Sequence, residues 1–298
     1  MPFALHAQFR SGNYWKQTRN EFIFGLGASN FLGELGGKDE IGKDMSPRDL
    51  EISATKYVIN AGWRYYFTKD MCVKTSLYYG MVSGDDKLTQ ERFRHGRNLS
   101  FKSPIYEFSA IYEYHVIAEK QGRLYKVRGT KSKLAFLVGI YPFLGIGAFY
   151  FNPKALYNGK WQNLQPLSTE GQGIKEGTKP YSKISYSIPM GIGFRYSLNQ
   201  QMGLGLELGF RKTFTDYIDD VSTVYFDSTQ IANAKGSVAA ALSNRSNPDS
   251  PAGSCNGCQR GDDTEKDSYM FGVLAFHYKL SKKRGFRRIR SRRSLPSF

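Results

Sequence analysis

Eight ionisable side chains, Arg64, Lys74, Glu107, Glu113, Arg195, Glu207, Arg211 and His277, stand in runs where every second residue is apolar. In an extended chain such residues all point to the face opposite the apolar one. Charges of both signs enclosed by a narrow wall pair with one another, because an unpaired buried ion is costly. The chemistry expected of Arg64, Lys74, Glu107, Glu113, Arg195, Glu207 and Arg211 is therefore a salt-bridge network that plugs a lumen, with a proton or solute path as the alternative. His115 and His277 have no serine, cysteine or carboxylate at a motif spacing around them, so no catalytic set is expected. No cofactor is expected either.

Two further groups carry possible chemistry. Cys255 and Cys258 form a single C-x-x-C. Zinc would need a second ligand pair, so a local disulfide is the expected reading. Asp216, Asp219, Asp220 and Asp227 cluster in one stretch, where hard oxygen ligands suit calcium but the EF-hand spacing and glycine are missing. Side-chain to backbone hydrogen bonds at a loop base are the other reading, and no metal site is assigned.

The elements that must position these groups are strands. Across residues 183–210, Ile184, Tyr186, Ile188, Met190, Ile192, Phe194, Tyr196 and Leu198 alternate with small or charged residues. After a turn at Asn199 and Gln200, Met202, Leu204, Leu206, Leu208 and Phe210 do the same. Period two means strand, and one apolar wall backed by glycines and scattered charges suits a narrow barrel in lipid. Comparable runs begin at Glu21, Tyr57, Met71 and Tyr106 and end with residues 268–280. The uncharged stretch 134–151 is long enough for a membrane helix, but Gly139, Pro142, Gly145 and Gly147 and its strand neighbours favour a fifth strand. Pro142 and Pro189 are expected at bulges or rims, since each removes a ladder donor.

Eight strands result, with long connections after the first, third, fifth and seventh and shorter ones between. The expected fold is an all-β, transmembrane, antiparallel up-and-down barrel over residues 20–281 with long extracellular loops. Residues 1–19 form an N-terminal segment, where Leu5-His6-Ala7 before Gln8 suggests a trimmed signal peptide. Residues 282–298 form a basic tail. Both termini are expected in the periplasm of an outer-membrane protein.

The 298 residues carry 40% hydrophobic and 15% aromatic residues with 31 glycines, a balance suited to β structure. Thirteen of the sixteen net positive charges lie in two segments, the tail from Lys282 and the connection 119–133. Lys126, Arg128, Arg284, Arg287 and Arg288 are the expected partner-binding surface. An acidic protein or anionic headgroups suit it, while nucleic acid does not, for want of an interleaved aromatic platform.

Three runs, EFIFGLGASNFLGELGG at 21–37, RNLSFKSPIYE at 97–107 and RKTFTDYIDDVS at 211–222, together resemble the PorG family, outer-membrane barrels of the type IX secretion system of Bacteroidota. The resemblance covers nearly all of residues 20–280. It implies a non-enzymatic component of protein secretion, associated with a periplasmic ring built from a lipoprotein and its partner protein, and it supplies no catalytic residues. The tail from Lys282 and the Cys255/Cys258 pair are not part of that pattern, so contacts there are expected from charge alone. A small outer-membrane porin or channel is the alternative function.

Overall fold

The computed structural model describes residues 14–33, 35, 52–89, 91–118, 138–199, 201–246 and 255–281. Ten strands follow in order: β1 (Asn20–Leu32), β2 (Lys56–Tyr66), β3 (Met71–Asp85), β4 (Ser100–Tyr114), β5 (Val138–Phe151), β6 (Lys154–Tyr157), β7 (Lys160–Asn163), β8 (Ile184–Ser197), β9 (Met202–Thr213) and β10 (Ser268–Leu280). Eight of them close on themselves, each antiparallel to its neighbours: β1 pairs with β2 and β10, and β3 with β4. No edge remains, so every barrel strand has a ladder on both sides.

Two strands lie outside that circle. β6 and β7 form a short hairpin turned by Asn158 and Gly159, both at positive φ, and β6 pairs with the barrel through Lys154 opposite Lys102 of β4. Helices α1 (Arg92–Arg97), α2 (Ser228–Lys235) and α3 (Ser237–Ser243) also sit in the long connections. The sequence reading treats all of these as loop, and it starts β4 at Tyr106 although pairing begins at Ser100. No helix among the described residues is long and apolar enough to cross a membrane, and residues 138–151 are strand.

The wall is apolar outside and polar inside. Leu26 and Leu274 face each other across β1 and β10 and are 65% and 67% exposed, while on the same strands Ile23 and His277 are fully buried. Tyrosines line up around the upper part of the wall, with ring centroids 6.1 Å apart for Tyr57 and Tyr79, 4.9 Å for Tyr79 and Tyr106, and 6.1 Å for Tyr106 and Tyr150. Trp63, Phe67, Tyr112, Tyr114 and Tyr196 ring the lower part. Eight residues of strand separate Tyr106 from Tyr114, about 20 Å of height for strands tilted near 40°. An exposed apolar band bounded by two aromatic girdles matches hydrocarbon between two interfaces, so this is a transmembrane barrel.

Pro142 lies near the start of β5, where the ladder to β4 has just ended at Phe143 opposite Glu113. Pro189 is central in β8. The β5–β8 register runs unchanged from Leu144 opposite Met190 to Gly147 opposite Ser187, so the expected bulge is absent. Instead the pairing lapses around Pro189 on the β5 side while the β9 side continues with Pro189 opposite Arg211. The lost donor thus costs a local gap rather than a shift of register.

A charge on the outer wall should be expensive. Leu274→Arg, at mid-height, is expected to lower folding stability in phosphatidylcholine vesicles by about 2–4 kcal/mol. Urea titration of the folded fraction would measure this, and an unchanged midpoint would refute a lipid-facing wall.

Candidate functional site: the charged lumen and its cap

Alternation sends charged residues inward from six of the eight barrel strands, and the lumen is narrow enough for them to meet. Four carboxylates (Glu21, Glu107, Glu113, Glu207) face four cations (Arg64, Lys74, Arg195, Arg211), and all eight are buried. Arg64 is the hub, at 3.2 Å from Glu21, 2.7 Å from Glu113 and 3.4 Å from Glu207. Lys74 bridges Glu207 at 2.6 Å and Glu113 at 3.3 Å, and Arg195 reaches Glu21 at 2.7 Å. His277 Nδ1 lies 2.8 Å from Glu21, and the Tyr141 hydroxyl donates to Glu207 at 2.8 Å.

The second group sits higher. Arg211 is 3.4 Å from Glu107 and stacks over Tyr78 and Phe271, with Tyr269 donating to Glu107 at 2.6 Å. The structure therefore gathers Arg64, Lys74, Glu113, Arg195 and Glu207 into one layer and sets Arg211 with Glu107 apart. Glu21 completes the lower layer. The sequence reading misses it, although its parity with Gly25 and Gly27 marks it as inward; Ile23, buried between them, hides the pattern. The inward glycines make room for these groups: a Cβ at Gly193 would overlap the Tyr141 ring, and one at Gly205 the His277 ring.

Above the ions lies an apolar core of Phe31, Val82, Phe101, Phe149, Phe151 and Phe271, joined by Leu164, Ile218 and Val221 from the connections. Above that, the long connections lock together through buried charge. Asp86 takes Arg97 Nε at 2.9 Å and the Leu99 amide at 3.0 Å. Arg97 donates to the Arg260 carbonyl at 2.7 Å, and Arg260 donates to Glu170 at 2.8 Å and the Asp220 carbonyl at 2.6 Å. The Leu35 amide donates to Asp219 at 3.3 Å, which brings in the connection after β1. Three stacked layers, ionic, apolar and ionic, thus fill the interior.

The acidic run takes the hydrogen-bonding role. Asp219 caps the Val221 amide, Asp227 caps α2 through the Thr229 amide, and Asp220 receives Thr169 and Tyr181 hydroxyls at 2.5 Å each. Among the described residues these carboxylates do not gather into a three-ligand group. Cys255 and Cys258 are joined as a disulfide. Lys126, Arg128, Arg284, Arg287 and Arg288 lie outside the described residues, as does the Leu5-His6-Ala7 end.

Removing the hub leaves three buried carboxylates without their common partner. Arg64→Ala should lower barrel stability by about 3–5 kcal/mol, read as the urea midpoint of the heat-modifiable gel band in micelles. A midpoint equal to the wild type would show that the layer contributes no net stability. In the cap, burial pushes the Asp220 carboxyl up to about 6, and burial raises Asp216 likewise. The closed cap then binds protons that an opened cap, with carboxyl groups near about 4, releases. Stability from this source is full in acid and is lost as pH rises through about 6. Hydrogen exchange over residues 214–246, corrected for intrinsic rates, should show costlier opening at about pH 5 than at about pH 7, with Asp220→Asn reducing the difference. Equal opening free energies would contradict the assignment.

Several solved structures are similar to this chain. Ail, the attachment invasion locus protein of Yersinia pestis, in complex with the heparin analogue sucrose octasulfate, shares 10% identity over 87% of this chain and 97% of its own, with a TM-score of 0.36. Neisserial surface protein A shares 9% over 87% and 96%, with a TM-score of 0.36. The N-terminal β-barrel domain of Pseudomonas aeruginosa OprF shares 10% over 88% and 98%, with a TM-score of 0.34. No curated protein matches the sequence. A family model described as Domain of unknown function (DUF6089) matches residues 9–234, most of the barrel, and the chain belongs to that family.

Proposed function

We propose that this protein is a non-enzymatic outer-membrane barrel of the type IX secretion system that anchors or orients a periplasmic ring built from a lipoprotein and its partner protein. The observation that carries the scaffold reading is the filled interior. With Arg64, Lys74 and Glu207 crossing the lumen below an apolar core and an ionic cap, the barrel is a solid body in the membrane. A solute path would have to break that layer, which disfavours the small-porin reading.

The choice of secretion system rests on the resemblance carried by residues 21–37, 97–107 and 211–222. The docking surface rests on charge and topology. The chain leaves β4 at Tyr114 and re-enters β5 at Val138 on the rim of the short β2–β3 and β8–β9 turns, and it leaves β10 at Leu280 on that same rim. The basic residues Lys126 and Arg128, and Arg284, Arg287 and Arg288, are thereby tethered to one rim. That rim faces the periplasm if the long connections face outward, the usual habit of outer-membrane barrels. Clustered positive charge there favours an acidic protein surface and speeds encounter with it.

Co-purification from gently solubilised outer membranes tests the proposal. The ring proteins should be recovered with the wild type and reduced at least several-fold by reversing the charges of Arg284, Arg287 and Arg288 to Glu. A barrel recovered alone from the wild type would overturn the ring assignment. Undiminished recovery with the reversed tail would remove this surface from it.

A further inference from the structure

Near the short-turn rim, below the Arg64 layer, three different ligand-type atoms converge on one point. Cys72 and Glu113 are directly paired residues of β3 and β4, and His115 follows Glu113 by two, on the same inward face. Cys72 Sγ lies 3.3 Å from Glu113 Oε2 and 3.5 Å from His115 Nε2, and His115 Nε2 lies 3.7 Å from Glu113 Oε2. Zinc bonds of about 2.3 Å to sulfur and about 2.0–2.1 Å to nitrogen and oxygen, at tetrahedral angles, place ligand atoms about 3.3–3.6 Å apart. The two sulfur edges of the observed triangle, 3.3 and 3.5 Å, are close to those values, and the nitrogen–oxygen edge, 3.7 Å, is a few tenths of an ångström long, so binding would draw His115 and Glu113 slightly together. Among the described residues it is the one such group of three.

A cysteine nucleophile activated by histidine is the rival reading of the same residues, and the geometry opposes it. In such a relay the carboxylate holds the ring nitrogen remote from the nucleophile. Here thiol and carboxylate approach the same nitrogen, Nε2, so the three atoms face one point instead of forming a chain.

The ligands are also held before any ion arrives. Glu113 Oε1 receives Arg64 Nη2 at 3.1 Å and lies 3.3 Å from Lys74. Oε2 is shared between Arg64 Nε, at 2.7 Å, and the Cys72 thiol, which donates to it at 3.3 Å. The His115 ring stacks on Tyr141 at 4.8 Å, and its backbone amide donates to the Asp70 backbone carbonyl at 2.7 Å. Outer partners of this kind fix ligand orientation.

We propose that Cys72 Sγ, Glu113 Oε2 and His115 Nε2 bind a divalent transition-metal cation of borderline softness, zinc foremost, inside the barrel. Thiolate with imidazole and carboxylate selects such ions over magnesium or calcium. Binding breaks the Cys72 S–H bond, releases that proton to solvent and forms the sulfur–metal bond. The fourth position is left for water. His115, one residue beyond the end of β4 and the most exposed of the three, puts the way in at the short-turn rim. This inference rests on barrel geometry alone and stands apart from the secretion assignment.

Cobalt(II) titration of the folded full-length protein in detergent is the test, because cobalt reports its ligands. The wild type should take up one equivalent, show a thiolate-to-cobalt charge-transfer band with strong visible absorption, and lose both when zinc is added. Cys72→Ser should abolish the charge-transfer band, and His115→Gln should weaken cobalt binding at least about tenfold. Heat-modifiable gel mobility shows whether each variant is folded, and the wild-type spectrum does not depend on either. A wild type with no charge-transfer band, or one whose band survives in folded Cys72→Ser, would overturn the proposal.

Discussion

The Arg64 guanidinium is fully buried in the lower part of a membrane barrel, and three carboxylates on three other strands hold it there. The cost of burying those ions is repaid only if every partner is in place. Most other features of the barrel follow from that demand. Eight strands give a lumen narrow enough for side chains from opposite walls to touch. Glycines at positions such as 193 and 205 let Tyr141 and His277 cross it. The balance of four carboxylates against four cations leaves the interior neutral, which suits a body surrounded by hydrocarbon.

The outer wall answers the same solvent from the other side. Its apolar residues are exposed in the protein and buried only by lipid, so the ordinary rule of apolar inside and polar outside is reversed. The upper third of the interior departs from this reversal. Phe31, Phe101, Phe149 and Phe151 make an apolar core there, roofed by the connections and their own ion pairs. That part of the interior is packed like a soluble protein.

Period two was enough to read the wall, because a slip of one residue would have put Leu208 inward and Glu207 in lipid. The charged lumen followed from the same parity, with Glu21 lost because buried Ile23 interrupts the polar face of β1. What alternation cannot carry is contact between distant strands. Cys72 and His115 look unrelated along the chain, 43 residues apart, and meet only because register sets Cys72 opposite Glu113. The cap was illegible for a related reason: Arg97, Glu170 and Arg260 stand in three separate connections without periodicity, so nothing local marks them as partners. The β6–β7 hairpin and the short helices are likewise too brief for a pattern to emerge.

The lower ion layer has a kinetic consequence. Arg64 and Glu207 are 143 positions apart and belong to strands on different sides of the lumen, and Glu21 of the first strand meets Arg195 and His277 of the last strands. None of these pairs can form in an open sheet. While the sheet is unfurled its charges stay hydrated, and they lose that water only when the first and last strands join. Seam closure and dehydration are therefore a single event, and partly rolled intermediates gain little from the ions they carry. Such a barrel should assemble late and all at once, with the seam between the chain's two end strands as its gate.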